Sequence, residues 1–385
     1  MPFWKNVSRN GKTAENRNIP VQGFLMSNQP IVFEEWKTAD GALIAVARLN
    51  TPKALNSLSL EMIRMLTPQL KSWAEDDRVR AVWIEAEGDK AFCAGGDIVA
   101  LYRSMTEPQS GSGASIGTAF FTEEYEMDYL IHSFPKPVVC WGHGIVMGGG
   151  IGIMAGASHR VVTEASMLAM PESSIGLYPD VAAGWFLNRT PGRTGLFLGL
   201  TGARMNAADA LFVGLADRFI KHELKVAVVA DLTAHSWQGE DAFALVGSVL
   251  RQHENQSADA LPESPVRTHF DEINRVTDAD SLAEMVAQMK ELSSGDGWLA
   301  KSTRPLETAS PTSLALCWQH LRNCRLDSLR EVLDKELTLS QNCLTKGEFA
   351  EGVRALLIDK DKQPRWRYAS LEEIDSEWID SFFEN

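Results

Sequence analysis

The chain has 385 residues, with 37 lysines and arginines against 51 aspartates and glutamates, which gives a formal net charge of −14. At about 150 residues per domain this length suggests about two structural units, and 44% hydrophobic residues exclude global disorder. The acidic balance argues against a general nucleic-acid binder, which needs surplus cations to neutralise phosphates. No apolar run approaches the roughly 20 residues of a membrane span, and five scattered cysteines without a CxxC pair indicate a reduced compartment without structural zinc.

Residues 1–30 are predicted to form an extension that precedes the folded core. Residues 1–25 carry four basic residues against one acidic residue and hold no apolar core for a secretory signal. Two interpretations stay open. The first is a disordered extension with Met26 as the effective start, which corresponds to a cytoplasmic location. The second is a presequence for the mitochondrial matrix.

From residue 42 to about residue 170, strand-like and helix-like segments alternate. The apolar runs predict strands over 42–50, 79–87, 137–145, 160–163 and 167–170. Ser59 is expected to cap a helix that Pro68 kinks or restarts, and further helices are predicted over 120–133 and 151–157. This alternation predicts an α/β region with parallel strands and helical crossovers.

From about residue 209 the pattern becomes helical, and residues 221–385 are predicted to form a helical C-terminal region. Helices are expected over 312–339 and 348–357, with an exposed link over 253–265. The last stretch, 370–385, has six acidic and no basic residues and carries aromatic and apolar side chains between them. It is interpreted as an amphipathic tail docked on the protein.

Two glycine loops have the chemistry of an anion site. The runs Ala94–Asp97 and Met147–Gly150 each follow a strand-like segment and open a helix-like one. Glycines let the backbone approach a ligand closely, and amides at helix N-termini point toward it. Facing each other, the loops could place one N–H each on a carbonyl oxygen, which is an oxyanion hole. For one loop alone, a tight turn would be the simpler interpretation.

Two other glycine patterns are interpreted as chance matches. Residues 113–117 fit GxSxG, but a nucleophile elbow needs a strand before the serine, and a Gly/Ser-rich loop is predicted over 109–118. Residues 150–155 fit GxGxxG/A, but the ribose-binding acid of that motif ends a strand, whereas Glu172 follows a proline in a loop.

Glu172 and Asp180 lie in an apolar segment, 170–180, punctuated by glycine and proline. A carboxylate in such surroundings must be paired, protonated or catalytic, because burying a bare charge is costly. Spacing alone leaves a structural role equally open. Glu123 and Glu124 lie on the helix predicted over 120–133, where a solvated face is the simpler interpretation.

The run Ala91–Asp97 together with Gly148–Gly150 resembles the crotonase superfamily, whose members act on coenzyme A thioesters. The resemblance implies a ββα spiral core over 31–220, and oxyanion-hole amides at Gly96 and Gly149. It also implies a homo-oligomer, a trimer or a hexamer. The coenzyme A contacts that it implies are Ala54, Leu55, Ala94, Gly96, Asp97 and Ile98.

The 3-hydroxyisobutyryl-CoA hydrolases are a narrower resemblance, covering about residues 31–385. The segments that carry it are 120–125, 144–152, 170–181 and 347–366. It implies hydrolysis of the 3-hydroxyisobutyryl-CoA thioester in valine breakdown, with 3-hydroxypropionyl-CoA as a second candidate substrate. Coenzyme A then enters with the substrate, without a metal or other cofactor, and no nucleic acid or membrane is expected as a partner. The substrate contacts that it implies are Glu124, Gly149, Glu172 and Asp180.

The same resemblance implies roles for two carboxylates and leaves alternatives open. Glu172 attacks the thioester carbonyl or acts as general base on water, and Asp180 binds the 3-hydroxyl group or assists the water. Hydratases of the superfamily carry two glutamates, and the first would fall at Gly152, which has no side chain. This departure favours a hydrolase. The alternatives are an enoyl-CoA hydratase or isomerase, a thioesterase of other acyl specificity, and a CoA-binding protein without turnover.

Overall fold

The computed structural model describes residues 29–107 and 113–384, without the side chains of 113–115. The extension predicted for residues 1–30 therefore lies almost entirely outside the described residues. The strands are β1 Ile31–Lys37, β2 Leu43–Leu49, β3 Val79–Ala86, β4 Ala91–Cys93, β5 Val138–Gly142, β6 Ile145–Met147, β7 His159–Val162, β8 Met167–Ala169 and β9 Arg218–Phe219.

The helices fall into a group interleaved with the strands and a longer C-terminal series. The first group is α1 Leu60–Glu75, α2 Ile98–Thr106, α3 Gly113–His132, α4 Gly149–Gly156, α5 Ala183–Phe186, α6 Thr194–Thr201 and α7 Ala207–Phe212. The second is α8 Lys225–Ala234, α9 Ala242–Asn255, α10 Pro265–Thr268, α11 Phe270–Val276, α12 Leu282–Glu291, α13 Trp298–Thr303, α14 Pro311–Asn323, α15 Leu329–Thr345, α16 Phe349–Val353 and α17 Ser376–Asp380. A π-helical turn, Arg354–Ile358, follows α16.

Two sheets organise the strand-containing half. The larger has the order β1-β2-β3-β5-β7-β9 and the smaller the order β4-β6-β8. Only the β1–β2 pairing is antiparallel; the other pairings in these sheets are parallel. The chain repeatedly places one strand in the large sheet, the next in the small sheet, and then forms a helix, as in β5-β6-α4. Each repeat advances one position in both sheets, so the predicted ββα spiral is confirmed.

The larger sheet is buried on both faces. Along β2, Ala45 and Ala47 pack into the main core, whereas Ile44 and Val46 pack into a second apolar cluster on the opposite face. Helices α8 and α9 contribute to that second cluster. The alternation follows from the two-residue period of a strand, and two covered faces are what a largely parallel sheet requires.

In helix α1 the predicted N-cap is confirmed, whereas the predicted effect of Pro68 is not. Ser59 Oγ accepts a hydrogen bond from Met62 N at 3.2 Å, as its predicted cap role requires. Pro68 lies inside α1, which continues to Glu75, so the predicted restart does not occur. Leu66 and Leu70 are fully buried on either side of it, and their packing offsets the hydrogen bond that proline removes.

Several predicted boundaries need correction because tertiary pairing decides short strands. The segment predicted as one strand over 137–145 is two strands in different sheets, β5 and β6, separated by a turn in which Gly144 has φ +62°. The predicted loop after β3 contains β4, and α3 begins at Gly113, inside the predicted loop 109–118. The two-residue strand β9 interrupts the region predicted as helical from residue 209.

In the C-terminal region, the helix predicted over 312–339 is divided into α14 and α15. The link predicted over 253–265 is only partly exposed, because α9 extends to Asn255 and His253 is buried. The docked tail is confirmed: Ile379 and Phe382 are buried, and Asn342 of α15 donates to the Phe382 carbonyl at 2.9 Å. In the part of the chain that the structure describes, no helix has both the length and the apolar character to cross a membrane.

Candidate active site

A cavity of about 490 Å³ gathers residues that are distant in the sequence. Its walls come from both glycine loops, α3, segment 171–181 and the C-terminal region. Every site residue expected from the sequence lines it: Ala54, Leu55, Ala94, Gly96, Asp97, Ile98, Glu124, Gly149, Glu172 and Asp180. The structure thus brings the expected residues together, while their chemical roles stay predictions.

The glycine loops 94–97 and 147–150 form one side of the cavity, the amide wall. They adjoin because β4, which precedes the first loop, pairs in parallel with β6, which precedes the second. Asp97 caps α2 by accepting from Ala100 N at 3.0 Å. A Cβ built on Gly149 would lie 3.7 Å from Gly96 N and would clash with Glu124 Oε1. The backbones at Gly96 and Gly149 are therefore close neighbours, as two donors to one carbonyl oxygen must be.

Backbone conformation explains the glycines at the bends of the amide wall. Gly95 has φ +103° and Gly148 has φ +46°, which side chains rarely tolerate. A Cβ on Gly148 would also lie 2.9 Å from Glu172 Oε1. The loop thus packs directly against a carboxylate of the cavity.

Four buried acidic residues, Glu124, Asp128, Glu172 and Asp180, form a carboxyl cluster. Three of them line the cavity together with the amide wall, whereas Asp128 lies against Gly152 outside the cavity lining. Glu124 and Asp128 are one turn apart on α3, and Glu172 begins a 3₁₀ turn shortly after β8. Within the described structure, Glu124 Oε1, Glu172 Oε2 and both carboxyl oxygens of Asp128 have no hydrogen-bond partner. Buried polar atoms are normally paired, so these atoms mark a site that is satisfied by something else, such as a proton or a substrate.

Burial raises the pKa of Glu124, Asp128 and Glu172 well above the usual carboxyl range, and neighbouring negative charges raise it further. Burial also raises the pKa of Asp180 to about 7, although the Tyr125 hydroxyl, which donates to Asp180 Oδ2 at 2.7 Å, opposes the shift. The cluster therefore retains protons close to neutral pH, the condition under which carboxyl groups exchange protons with a substrate or water.

The adjacent residues Glu123 and Glu124 have opposite environments. Glu123 is partly exposed and pairs with Arg64 at 2.7 Å, so the solvated-face interpretation holds for it. Glu124 is 2% exposed and lines the cavity, so the same interpretation is wrong there. Successive residues of a helix point about 100° apart, and this rotation is enough to place one glutamate at the surface and the next in the cavity.

The space at Gly152 is already filled. A Cβ at this position would lie 2.7 Å from Asp128 Oδ2 and 2.8 Å from Val181 Cβ. A glutamate side chain could not enter without displacing both neighbours. Sequence reasoning missed Asp128, although its spacing of four residues from Glu124 on a helix places both on one face.

The C-terminal region also reaches the cavity. Phe349, Leu356 and Leu357 line it, the last two from the π-helical turn 354–358. Such turns are rare and are often found at functional sites. The sequence predicted a helix here, but nothing in its pattern indicated that this helix would return to the glycine loops.

The chain matches the family model described as enoyl-CoA hydratase/isomerase over residues 44–383. Among solved structures, an enoyl-CoA hydratase from Rhodobacter sphaeroides aligns with a TM-score of 0.79 at 35% identity, covering 92% of this chain and 97% of the other. A carnitinyl-CoA dehydratase from Mycobacterium thermoresistibile aligns with a TM-score of 0.81 at 31% identity, covering 93% and 97%. The fold is therefore that of the crotonase class.

Curated relatives identify a narrower family within this class. A protein named "3-hydroxyisobutyryl-CoA hydrolase, mitochondrial" from Xenopus tropicalis is 38% identical over 364 residues, covering 94% of this chain and 92% of its own. The human protein of the same name is 36% identical over 384 residues, covering 100% and 97%. The chain belongs to the enoyl-CoA hydratase/isomerase family and, within it, to the 3-hydroxyisobutyryl-CoA hydrolases.

Proposed function

We infer that the protein hydrolyses the thioester of 3-hydroxyisobutyryl-CoA to the free hydroxy acid and coenzyme A, a step of valine breakdown. The observation that carries the choice of reaction is the filled space at Gly152, where Asp128 and Val181 exclude the first glutamate of a hydratase. The names of the near-full-length curated relatives support the same choice. The names of the two solved structures show that the fold alone does not decide between hydration and hydrolysis.

In the proposed reaction the thioester carbonyl lies against the amide wall. The N–H groups of Gly96 and Gly149 donate to the oxygen as negative charge develops on it, which stabilises the transition state. A Cβ on Gly148 would lie 2.9 Å from Glu172 Oε1, and this closeness to the loop supports a position for Glu172 beside that carbonyl. After Glu172 has released the proton that burial favours, its carboxylate acts in one of two ways. It attacks the carbonyl carbon, so that the C–S bond breaks, coenzyme A leaves and an acyl anhydride forms, or it removes a proton from the attacking water.

These two mechanisms for Glu172 predict different intermediates. Nucleophilic attack leaves the acyl group on the enzyme until water cleaves the anhydride, whereas general-base catalysis forms no covalent species. Rapid acid quench during turnover, followed by mass spectrometry of the peptide containing Glu172, separates them. An added acyl mass on that peptide indicates the nucleophile; its absence at every quench time indicates the base.

Asp180 is proposed to recognise the 3-hydroxyl group or to assist the water. Its Oδ2 is already held by the Tyr125 hydroxyl at 2.7 Å, which fixes the carboxyl group at the edge of the cavity. A site built to bind a hydroxyl group disfavours a substrate that lacks it, because a buried polar group is then left unpaired.

Thiol release across a small panel of CoA esters tests the proposed function. The panel is 3-hydroxyisobutyryl-, 3-hydroxypropionyl-, isobutyryl- and crotonyl-CoA. Hydrolysis with a preference for the two hydroxylated esters supports the proposal. Loss of crotonyl absorbance without thiol release would identify a hydratase, equal kcat/KM on all saturated esters a general thioesterase, and thermal stabilisation by CoA esters without turnover a binding protein.

Three further features of the protein are proposed with this function. No metal or separate cofactor takes part, which predicts full activity after dialysis against EDTA. The chain forms a trimer or hexamer, which light scattering measures directly. The names of the curated relatives support a mitochondrial location over the cytoplasmic one; import of the full chain into isolated mitochondria tests this.

A further inference from the structure

The backbone immediately after Asp180 has an unusual conformation. Val181 has φ +52° and Ala182 has φ +72°, so two successive residues with side chains occupy the left-handed region. For a β-branched residue such as valine this is a genuine outlier. Strained turns persist only where surrounding contacts determine them fully, and they cluster at functional sites. The contacts that hold this turn therefore also hold Asp180.

Two of those contacts come from one residue of α15. The carboxylate of Glu336 accepts hydrogen bonds from Ala182 N at 2.7 Å and from Gly184 N at 3.0 Å. The His320 ring on α14 lies with Nε2 2.9 Å from Glu336 Oε1. Both side chains are buried, with 0% exposure for Glu336 and 1% for His320. Two backbone donors and one imidazole thus fix a carboxylate that does not itself line the cavity.

The next turn of α15 reaches the Asp180 side chain. Ser340 Oγ lies 2.7 Å from the Tyr125 hydroxyl, which donates to Asp180 Oδ2 at 2.7 Å. Ser340 Oγ also lies 2.9 Å from the Tyr178 hydroxyl, which donates to the Glu336 carbonyl at the same distance. Glu336 and Ser340 are four residues apart and so share one face of α15. That face therefore holds the turn after Asp180 directly and the Asp180 side chain through Tyr125.

We propose that Glu336, supported by His320, is a positioning residue for Asp180, so that the C-terminal helices are part of the catalytic apparatus. The proposal deepens the proposed function, since it assumes that Asp180 contributes to the reaction. Glu336→Gln keeps the side-chain volume but replaces one acceptor oxygen by an amide group, which cannot accept from a backbone N–H. One of the two contacts to the turn is then lost, and the turn can relax.

The test is a double-mutant cycle with Asp180→Asn, measured by thiol release. Glu336→Gln should lower kcat/KM on 3-hydroxyisobutyryl-CoA by about tenfold to a hundredfold, the scale expected for a small misplacement of a reacting group. In the Asp180→Asn background the same substitution should cost less than about threefold, because the residue acts through Asp180. Equal losses in both backgrounds would overturn the proposal and leave Glu336 a structural role.

Two further variants keep the test decisive. Asp209→Asn also removes a buried carboxylate that accepts from two backbone N–H groups, at Asn206 and Val266, but none of its hydrogen bonds reaches the cavity. Asp209→Asn should change kcat/KM by the same factor in the wild-type and Asp180→Asn backgrounds. If Glu336→Gln does not fold, Ser340→Ala cuts the link to Tyr125, and it too should lose activity only when Asp180 is present.

A failure of the positioning role can be distinguished from a failure of the proposed function. If the wild type hydrolyses isobutyryl-CoA as well as the hydroxylated esters, the proposed specificity fails. The cycle can still be measured on isobutyryl-CoA, where coupling between Glu336 and Asp180 would uphold the positioning role and additivity would overturn it.

Discussion

The two sides of the cavity are built in different ways. The amide wall uses backbone groups held by short, paired strands, β4 and β6, and by the helices that follow them. The carboxyl cluster uses buried side chains whose environment is completed by α15, more than 150 residues further along the chain. The amide wall is therefore formed by neighbouring segments and is held by backbone hydrogen bonds. The carboxyl cluster depends on packing between segments that are distant in the sequence.

This difference predicts how each side responds to substitution. The expected donors of the amide wall are backbone N–H groups, which no side-chain deletion removes, so its chemistry is sensitive to added atoms. The carboxyl cluster is sensitive to the loss of any of its titratable groups, because neighbouring members raise the pKa of Glu124, Asp128 and Glu172. The following substitutions separate the two contributions, beginning with the one expected to have the largest effect.

Glu172→Gln should lower kcat by at least about 10³, because the amide keeps the volume but neither attacks a carbonyl nor takes a proton from water. Thiol release from 3-hydroxyisobutyryl-CoA measures the effect, and circular dichroism confirms the fold. Glu123→Gln is the matched control, since this glutamate is partly exposed and pairs with Arg64. A Glu172→Gln variant within tenfold of wild type would falsify the assignment of Glu172.

Gly149→Ala should lower kcat/KM by about 10²–10³, the scale of losing one oxyanion-hole donor. The new methyl group meets Glu124 Oε1 and lies 3.7 Å from Gly96 N, so it displaces the carbonyl from the amide wall. Gly297→Ala, where a Cβ meets nothing within 4 Å, is the control. Similar activity of both variants would mean that the carbonyl binds away from the amide wall.

Asp180→Asn should reduce the preference for hydroxylated over plain esters by at least about tenfold, part of the discrimination that a buried hydroxyl-binding group can supply. Because the pKa of Asp180 is about 7, the wild-type preference should also rise as the pH increases through 7, since an ionised carboxylate is the stronger acceptor. The variant should lack this rise. A wild-type preference that does not change between pH 6 and pH 8 contradicts the role of Asp180.

The contrast between the two sides also explains what the sequence predicted. The glycine loops combine a composition signal with their place between a strand and a helix, so about four residues each were enough to predict two loops of one site. Glu172 and Asp180 were found as candidates because a carboxylate in an apolar run demands an explanation. The spiral order of the strands came from the resemblance, and β4, β6 and β9 were too short for periodicity to separate.

Asp128, Tyr125 and Glu336 were missed for a physical reason. Asp128 and Tyr125 lie on a helix whose buried and exposed faces cannot be told apart without knowing what packs against it. Glu336 lies in α15, where the surrounding charged residues resemble a solvated surface, and its burial arises only when α15 meets the turn after Asp180. Long-range contact decides these environments, and one sequence does not contain that information.

The smallest expected effect concerns stability and distinguishes Asp128 from the reacting groups. The native pKa of Asp128 is raised above 3.8 by burial and by the charges of Asp180 and Glu336, so the native state keeps a proton that the unfolded chain releases near pH 4. In that window the free energy of unfolding falls as the pH rises, by up to about 1.4 kcal/mol per pH unit. Asp128→Asn removes this proton.

The variant should therefore lose part of the pH dependence of unfolding, and its stability relative to wild type should increase as the pH rises above 4. Denaturant unfolding at a series of pH values measures the difference. Below pH 4, where native and unfolded wild type are both protonated at this position, the difference should become constant. If the two curves instead run parallel up to pH 8, Asp128 is already ionised in the native protein, and the filled space at Gly152 contains a charge that the carboxyl cluster must balance in another way.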